Sequence, residues 1–136
     1  MKTTNYRDTF IEVAEDCPVE TAQIPPEKGE IKTVANLQFD LIKNNPYKFS
    51  SDDVVFRVFA LKNGISKAGL ANERQKFFSK GQPCLRSSPL GKRYGWGIHC
   101  DFEGKVAIYP VESPEYEKFL NDKTLKHVKA MRSKRT

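Results

Sequence analysis

Two neighbouring segments in the second half of the chain alternate between apolar positions and polar or glycine positions, and this alternation predicts strands. In residues 93–100 (RYGWGIHC), tyrosine, tryptophan and isoleucine take every second position, which is the period of a β-strand. Residues 105–111 (KVAIYPV) supply the return strand, after a connection at 101–104 that ends in glycine. A further strand is expected in residues 9–16, where phenylalanine, isoleucine and valine cluster. The sequence therefore predicts a small, mainly antiparallel sheet that includes a hairpin near 93–110.

Apolar residues at helical spacing predict helices elsewhere, each one following a threonine or serine suited to the N-cap position. The predicted helices cover residues 34–45, 67–80, 114–122 and 125–134. The apolar residues predicted to share one face of the first helix are Val34, Leu37, Leu41 and Ile42. The last helix has a thin apolar stripe that consists of Leu125, Val128 and Met131.

Residues 52–63 fit either a strand or a helix. Their run Val-Val-Phe-Arg-Val-Phe has strand propensity. Ser51 followed by two aspartates, however, is typical of a helix N-terminus, and Asn63-Gly64 is typical of a left-handed helix stop. These start and stop signals agree on a length of about eleven residues, which favours a helix.

The order of these elements predicts the fold class. Between the first strand and the first helix, residues 17–30 contain three prolines, which indicates an irregular surface loop. A strand, a loop, three helices, a hairpin and two helices then follow in turn, and this order predicts an α+β fold. We expect one domain over residues 1–136, with about four to five helices packed on the sheet. Residues 123–136 are predicted to be a basic C-terminal helix or tail.

The net charge of +6 is unevenly distributed along the chain. Residues 123–136 hold six basic residues and no acid, which leaves 17 basic against 17 acidic residues in the remainder. Within that remainder, residues 74–100 carry six basic residues and no acid, whereas 101–122 carry two basic and six acidic residues. One hypothesis is therefore that the basic block and the basic tail converge on one anion-binding face. The alternative is a solvated tail and a mixed surface.

The acid-free stretch around residues 80–99 is the main candidate for a binding site, because arginine forks and serine hydroxyls suit phosphate or carboxylate groups. The candidate ligand-binding residues are Arg86, Ser87, Ser88, Lys92, Arg93, Trp96 and His99. Two interpretations stay open at this point. Either the stretch binds an anionic ligand (a nucleotide, a phosphometabolite or a nucleic-acid backbone), or its arginines pair with the acidic segment 101–122.

An enzymatic alternative uses Cys84 or His99 in a pocket lined by Trp96 and Tyr94. The cysteine does not fit a phosphatase loop, because that chemistry requires an arginine six positions later, where this chain has Leu90. The sequence leaves open whether any reaction is catalysed, and a binding protein is favoured over an enzyme.

No metal site and no cofactor are predicted. His99 and Cys100 are adjacent, so in a strand their side chains point to opposite faces, which disfavours a shared ion. The Gly-Lys-Arg at 91–93 lacks the upstream glycine and the following serine or threonine of a phosphate-binding P-loop.

The C-terminal segment supports a third hypothesis, an interaction protein whose basic tail docks RNA or an acidic protein. The residues that would hold such a polyanion are Lys126, Lys129, Arg132, Lys134 and Arg135. The expected partners are thus an anionic small molecule at the basic stretch, and a nucleic acid or an acidic protein at the tail.

The chain is expected to be cytoplasmic. No apolar run approaches the roughly 18 residues that a membrane span needs, and the first ten residues lack the apolar core of a signal peptide. Its three cysteines are widely spaced, which is typical of free thiols in a reducing compartment.

Four segments spread over nearly the whole chain carry a resemblance: TNYRDTFIEVAEDCP, SSDDVVF, FFSKGQPCLRSSPLGKRYGWGIH and KHVKAMRSKR. Together they resemble an uncharacterised bacterial family, domain-of-unknown-function family 6157. The resemblance implies a small, cytoplasmic, single-domain protein. It implies no catalytic residue, substrate or cofactor.

Overall fold

A four-stranded sheet lies at the centre of the computed structural model, which describes residues 2–134. Its strands are β1 (Thr9–Glu12), β2 (Trp96–Cys100), β3 (Val106–Pro110) and β4 (Lys126–Lys129). The order across the sheet is β3-β2-β1-β4. The β3–β2 and β2–β1 pairs are antiparallel, and only β4 runs parallel to its neighbour β1. The predicted α+β class with a small, mainly antiparallel sheet is confirmed.

Five α-helices accompany this sheet in the described part of the chain. They are α1 (Val34–Lys43), α2 (Ser51–Lys62), α3 (Leu70–Phe78), α4 (Pro89–Lys92) and α5 (Pro114–Leu120). Short 3-10 turns precede α3 at Lys67–Gly69 and α4 at Leu85–Ser87.

The ambiguous segment 52–63 is helical, as its start and stop signals predict. Ser50, one residue earlier than expected, is the N-cap and forms a reciprocal capping box with Asp53. Gly64 ends the helix with a φ of +58°, a conformation that glycine adopts without steric cost. Local capping geometry thus outweighs the strand propensity of the valine and phenylalanine residues between these ends.

One face of the sheet packs against α1, α2 and α4 and forms the main hydrophobic core. Its buried residues include Ile11, Ile42, Val54, Leu90, Ile98, Cys100, Val106 and Ile108. The predicted apolar face of α1 is correct in part: Ile42 is fully buried and Leu41 packs against the core, whereas Val34 is 37% exposed. The helix α1 also buries two polar residues, Asn36 and Gln38.

The opposite face of the sheet is covered by the short helix α5. Its Tyr116 ring lies against β2 at Gly97, where an added Cβ atom would approach the ring to 2.5 Å. Tyr116 also accepts a hydrogen bond from the backbone of Val13 through its hydroxyl group, at 3.0 Å. Glycine at position 97 therefore allows the short helix α5 to sit close to the sheet.

The predicted C-terminal helix over residues 125–134 is wrong, because residues 126–129 form β4. The exposed edge of β1 offers backbone groups that need partners, and β4 supplies them: the N–H groups of Lys126 and Ala130 donate to the carbonyls of Asp8 and Glu12, both at 2.8 Å. A thin apolar stripe gives a helix little to bury, whereas a strand here completes a sheet edge.

Candidate functional site

Arg86 lies beside the C-terminal strand, although 43 residues separate it from its partner there. Its Nε donates a hydrogen bond to the carbonyl oxygen of Lys129 at 2.8 Å. In return, the N–H of Met131 donates to the carbonyl of Arg86 at 2.8 Å. The turn Leu85–Ser87 is thereby fixed against the chain that leaves β4, so part of the acid-free stretch and part of the basic tail share one surface.

These residues form a surface depression, the basic cleft, of about 450 Å³. It is lined by Glu15, Arg86, Lys129, Ala130, Met131 and Arg132. Glu15 pairs with Lys129 at 3.2 Å and with Arg132 at 3.0 Å. The hydrogen bond and the charge of Lys129, followed by the charge of Arg132, lower the pKa of Glu15. The described lining residues include three cations and one carboxylate, so this lining has an excess of positive charge.

Asp16 holds the chain that continues beyond the basic cleft. Its carboxylate accepts hydrogen bonds from the backbone N–H groups of Ser133 and Lys134, both at 3.0 Å. These hydrogen bonds, the one from Lys134 first, lower the pKa of Asp16. The start of the tail is therefore ordered by two acids of the 13–16 segment. Arg135, a predicted polyanion contact, lies outside the described residues.

The two candidate serines lie away from this cleft. Ser88 is 2% exposed and donates from its Oγ to Gln38 Oε1 at 2.6 Å. Ser87 donates to the carbonyl of Cys84 at 2.8 Å. Both hydroxyl groups thus have structural partners, and neither serine lines the basic cleft.

Lys92 and Arg93 stand at the end of α4, also outside the cleft lining. Arg93 is exposed and Lys92 is half-buried. Among residues 2–134, no ion pair joins Arg86, Lys92 or Arg93 to the acidic segment 101–122. No ion pair within this range therefore supports the interpretation that the acidic segment 101–122 neutralises the basic stretch.

Trp96 belongs to the main core and is separated from His99 by the sheet. Trp96 is 5% exposed. Its ring lies edge-on to the ring of Phe39, with the ring centres 5.3 Å apart. Its Nε1 donates a hydrogen bond to the carbonyl oxygen of Gln23 at 2.8 Å. His99 points to the opposite face, against α5, because it stands three positions later in the same strand.

His99 is part of a hydrogen-bonded aromatic group. Its Nδ1 is 2.8 Å from the Tyr47 hydroxyl, which is also 2.8 Å from the Tyr109 hydroxyl. The Phe119 ring stacks on the imidazole with the ring centres 4.2 Å apart. Burial lowers the pKa of His99 and raises that of Tyr47. This arrangement keeps the imidazole neutral at neutral pH and fixes the approach of α5 to the sheet.

Cys84 lines a different depression, the apolar pocket, of about 460 Å³ between α1, α2 and residues 82–89. Its Sγ lies 3.4 Å from the Tyr6 hydroxyl. His99, Trp96 and Tyr94 do not line this pocket, so the structure does not bring together the residues of the enzymatic hypothesis. Burial raises the pKa of Cys100 to about 12.

Sequence reasoning missed Glu15, Gln38 and Lys62. Glu15 lies 114 residues from its partner Lys129, so no local motif could mark it. Gln38 and Lys62, which line the apolar pocket, are polar residues in amphipathic helices and carry no distinctive spacing. The surroundings of these side chains depend on the packing of segments that are far apart in the sequence.

Within 2–134, no group of three or more His, Cys, Asp or Glu side chains is arranged to hold a metal ion. The helices in that range are all too short or too polar to cross a bilayer.

A family described as "Family of unknown function (DUF6157)" matches residues 1–136. No curated protein matches the chain, and no solved structure matches it.

Proposed function

The chain belongs to this family of unknown function, and we propose that it is a non-enzymatic binding protein for a phosphate-bearing ligand held in the basic cleft. Arg86, Lys129 and Arg132 are the contacts that hold the ligand. An arginine fork matches the geometry of phosphate oxygens, and a lysine adds a point charge.

One observation carries the proposal: cations from two separate segments line the same cleft, and Glu15 is the one carboxylate among its described lining residues. Arg86 comes from the acid-free stretch, and Lys129 and Arg132 come from the tail. The side chains of Glu15 and its two partners are about half exposed. Ion pairs this exposed are weak, so a ligand phosphate can compete with Glu15 for the same cations.

The ligand class follows from the openness and charge of the cleft. Among its described lining residues only Ala130 and Met131 offer apolar contact to a base or an acyl chain, so recognition rests on the phosphate group. Nucleotides, phosphometabolites and a nucleic-acid backbone share this group. A cytoplasmic location is part of the proposal and is supported by the free thiols of Cys17, Cys84 and Cys100.

The test is isothermal titration calorimetry at low salt with pyrophosphate, ATP and a short single-stranded DNA. We expect at least one of them to bind, and Arg86→Ala to lower its affinity about tenfold, as for the loss of a charged hydrogen-bond donor. Arg93→Ala is the matched control, because it removes the same charge from the same stretch outside the cleft. The affinity of the Arg93→Ala variant for the ligand should stay within about twofold of the wild-type affinity.

Two results contradict the proposal. One is that none of the three ligands binds the wild-type protein. The other is that both arginine variants lose affinity equally, which indicates attraction by net charge rather than a site. If single-stranded DNA alone binds, the nucleic-acid backbone is the ligand; if ATP or pyrophosphate binds, the ligand is a small molecule.

A further inference from the structure

The apolar pocket has the size and walls of a small-molecule site. Its volume of about 460 Å³ falls within the range of ligand pockets, roughly 300–1,000 Å³. Its apolar lining consists of Val34, Val55, Val58, Phe59, Phe77, Pro83 and Pro89. These side chains come from α1, α2, α3 and the segment before β2, so the pocket lies at a junction of four parts of the fold.

A buried amide with a free donor faces this pocket. Gln38 is only 6% exposed and lines the pocket together with Ser88. Ser88 Oγ accepts from the N–H of Leu90 at 3.2 Å and therefore donates its own proton to Gln38 Oε1 at 2.6 Å. This leaves the Gln38 Nε2 group without an acceptor among residues 2–134.

Solvent reaches the unpaired amide nitrogen of Gln38. In the described chain, no side-chain nitrogen or oxygen that is fully shielded from solvent lacks a hydrogen-bond partner. Gln38 Nε2, which has no partner in that range, is therefore accessible, and Gln38 is one of the residues that line the pocket. An accessible amide donor among apolar walls can hydrogen-bond to a ligand and orient it, so the pocket suits a ligand with a hydrogen-bond acceptor.

The charge of the lining selects among such ligands. Lys62 lines the pocket, and the described lining contains no aspartate or glutamate. The Lys62 ammonium donates to the carbonyl of Lys32 at 3.3 Å, and within residues 2–134 it has no carboxylate partner. A pocket with apolar walls, an open amide donor and an unneutralised cation is complementary to an apolar anion.

From this juxtaposition we propose that the apolar pocket binds a small aliphatic monocarboxylate. The alkyl chain packs on the valine and phenylalanine walls, and the carboxylate accepts a hydrogen bond from Gln38 and pairs with Lys62. This site is separate from the basic cleft and takes a different ligand, so it does not depend on phosphate binding.

The experiment uses octanoate as the probe and octanol as its uncharged counterpart. Affinity is measured by calorimetry, and occupancy by the rate at which iodoacetamide alkylates Cys84, followed by peptide mass spectrometry. Because Cys84 lines the pocket, octanoate should slow its alkylation several-fold, while Cys17, which lies outside the lining, serves as the internal reference.

Two matched pairs of variants locate the site. Val34→Trp places a large ring at the pocket and should abolish octanoate binding, whereas Ile31→Trp, at a residue that is 80% exposed and outside the lining, should not. Lys62→Gln should weaken octanoate about fivefold and leave octanol unchanged. Lys28→Gln, an exposed lysine outside the pocket, controls for net charge.

Three results overturn the proposal. The first is the absence of saturable octanoate binding to the wild-type protein. The second is binding that survives Val34→Trp, which places the ligand elsewhere. The third is an octanol affinity equal to that of octanoate, which removes the role of the carboxylate. Loss of octanoate binding with intact pyrophosphate binding leaves the basic-cleft proposal unaffected, and the reverse holds as well.

Discussion

Thr4 and Asp52 stand 48 residues apart and are joined by two hydrogen bonds. The backbone N–H of Thr4 donates to Asp52 Oδ1 at 2.6 Å, and the Thr4 hydroxyl donates to the same atom at 2.7 Å. Thr3 donates to the second carboxylate oxygen at 2.7 Å. Asp52 is 2% exposed, so the first turn of α2 anchors the N-terminal segment in the interior.

Replacing this carboxylate should loosen the N-terminal segment. Asp52→Asn keeps the size of the side chain but replaces one acceptor oxygen with a donor group that faces the Thr donors. We expect the free energy of unfolding to fall by about 2 kcal/mol, measured by urea denaturation. Glu30→Gln, at an exposed residue, is the matched control and should change it by less than about 0.5 kcal/mol. An equal, small effect in both variants would contradict the anchoring role.

The C-terminal strand can be distinguished from the helix that its sequence pattern suggests. The N–H of Ala130 donates to Glu12 of β1, whereas the N–H of its neighbour Lys129 points to the outer side of the strand. Hydrogen exchange followed by NMR should therefore show slow exchange at Ala130 and fast exchange at Lys129. Uniform protection of consecutive amides over residues 126–130 would instead indicate a helix.

Burial of His99 predicts a pH-dependent loss of stability. Desolvation lowers its pKa, and the charges of Asp101, Asp122 and Asp8 only partly oppose this effect. The unfolded chain, with an ordinary histidine pKa of about 6.5, therefore binds a proton more tightly than the folded one. The stabilising contribution is complete above about pH 6.5 and is lost as pH falls through the lower, folded-state pKa.

The measurement is the free energy of unfolding at about pH 7.5 and about pH 5.5. Wild type should be less stable at the lower pH, and His99→Gln should reduce this difference. The pKa values of Glu15 and Asp16 are lowered. Both pH values therefore lie above the range in which these two carboxyl groups take up protons. A pH dependence that is the same in the variant would show that His99 is not responsible.

The parts of the fold that were predicted from sequence depend on neighbouring residues. Thr33 and Ser113 cap the helices that follow them, and Gly104, with a φ of +82°, closes the predicted hairpin. In each case the signal and the structure lie within a few residues of each other. Capping and turn chemistry act at this range.

The parts that were not predicted depend on distant residues. β4 forms because the edge of β1, more than a hundred residues earlier, needs a hydrogen-bonding partner. Gln38 is buried because Ser88 packs against it from another segment, 50 residues away. For the candidate site, convergence of the basic stretch and the tail was one of two open hypotheses, and the fold places Arg86 and two tail cations in one cleft with Glu15.

The charge balance of the basic cleft offers the most direct test of phosphate binding there. Glu15 forms ion pairs with Lys129 and Arg132, so it competes with a phosphate ligand for these two cations. The measurement is the pyrophosphate affinity of Glu15→Gln, by calorimetry at low salt. We predict an affinity about fivefold higher than that of wild type. An unchanged or lower affinity, with the fold intact, would contradict binding in this cleft.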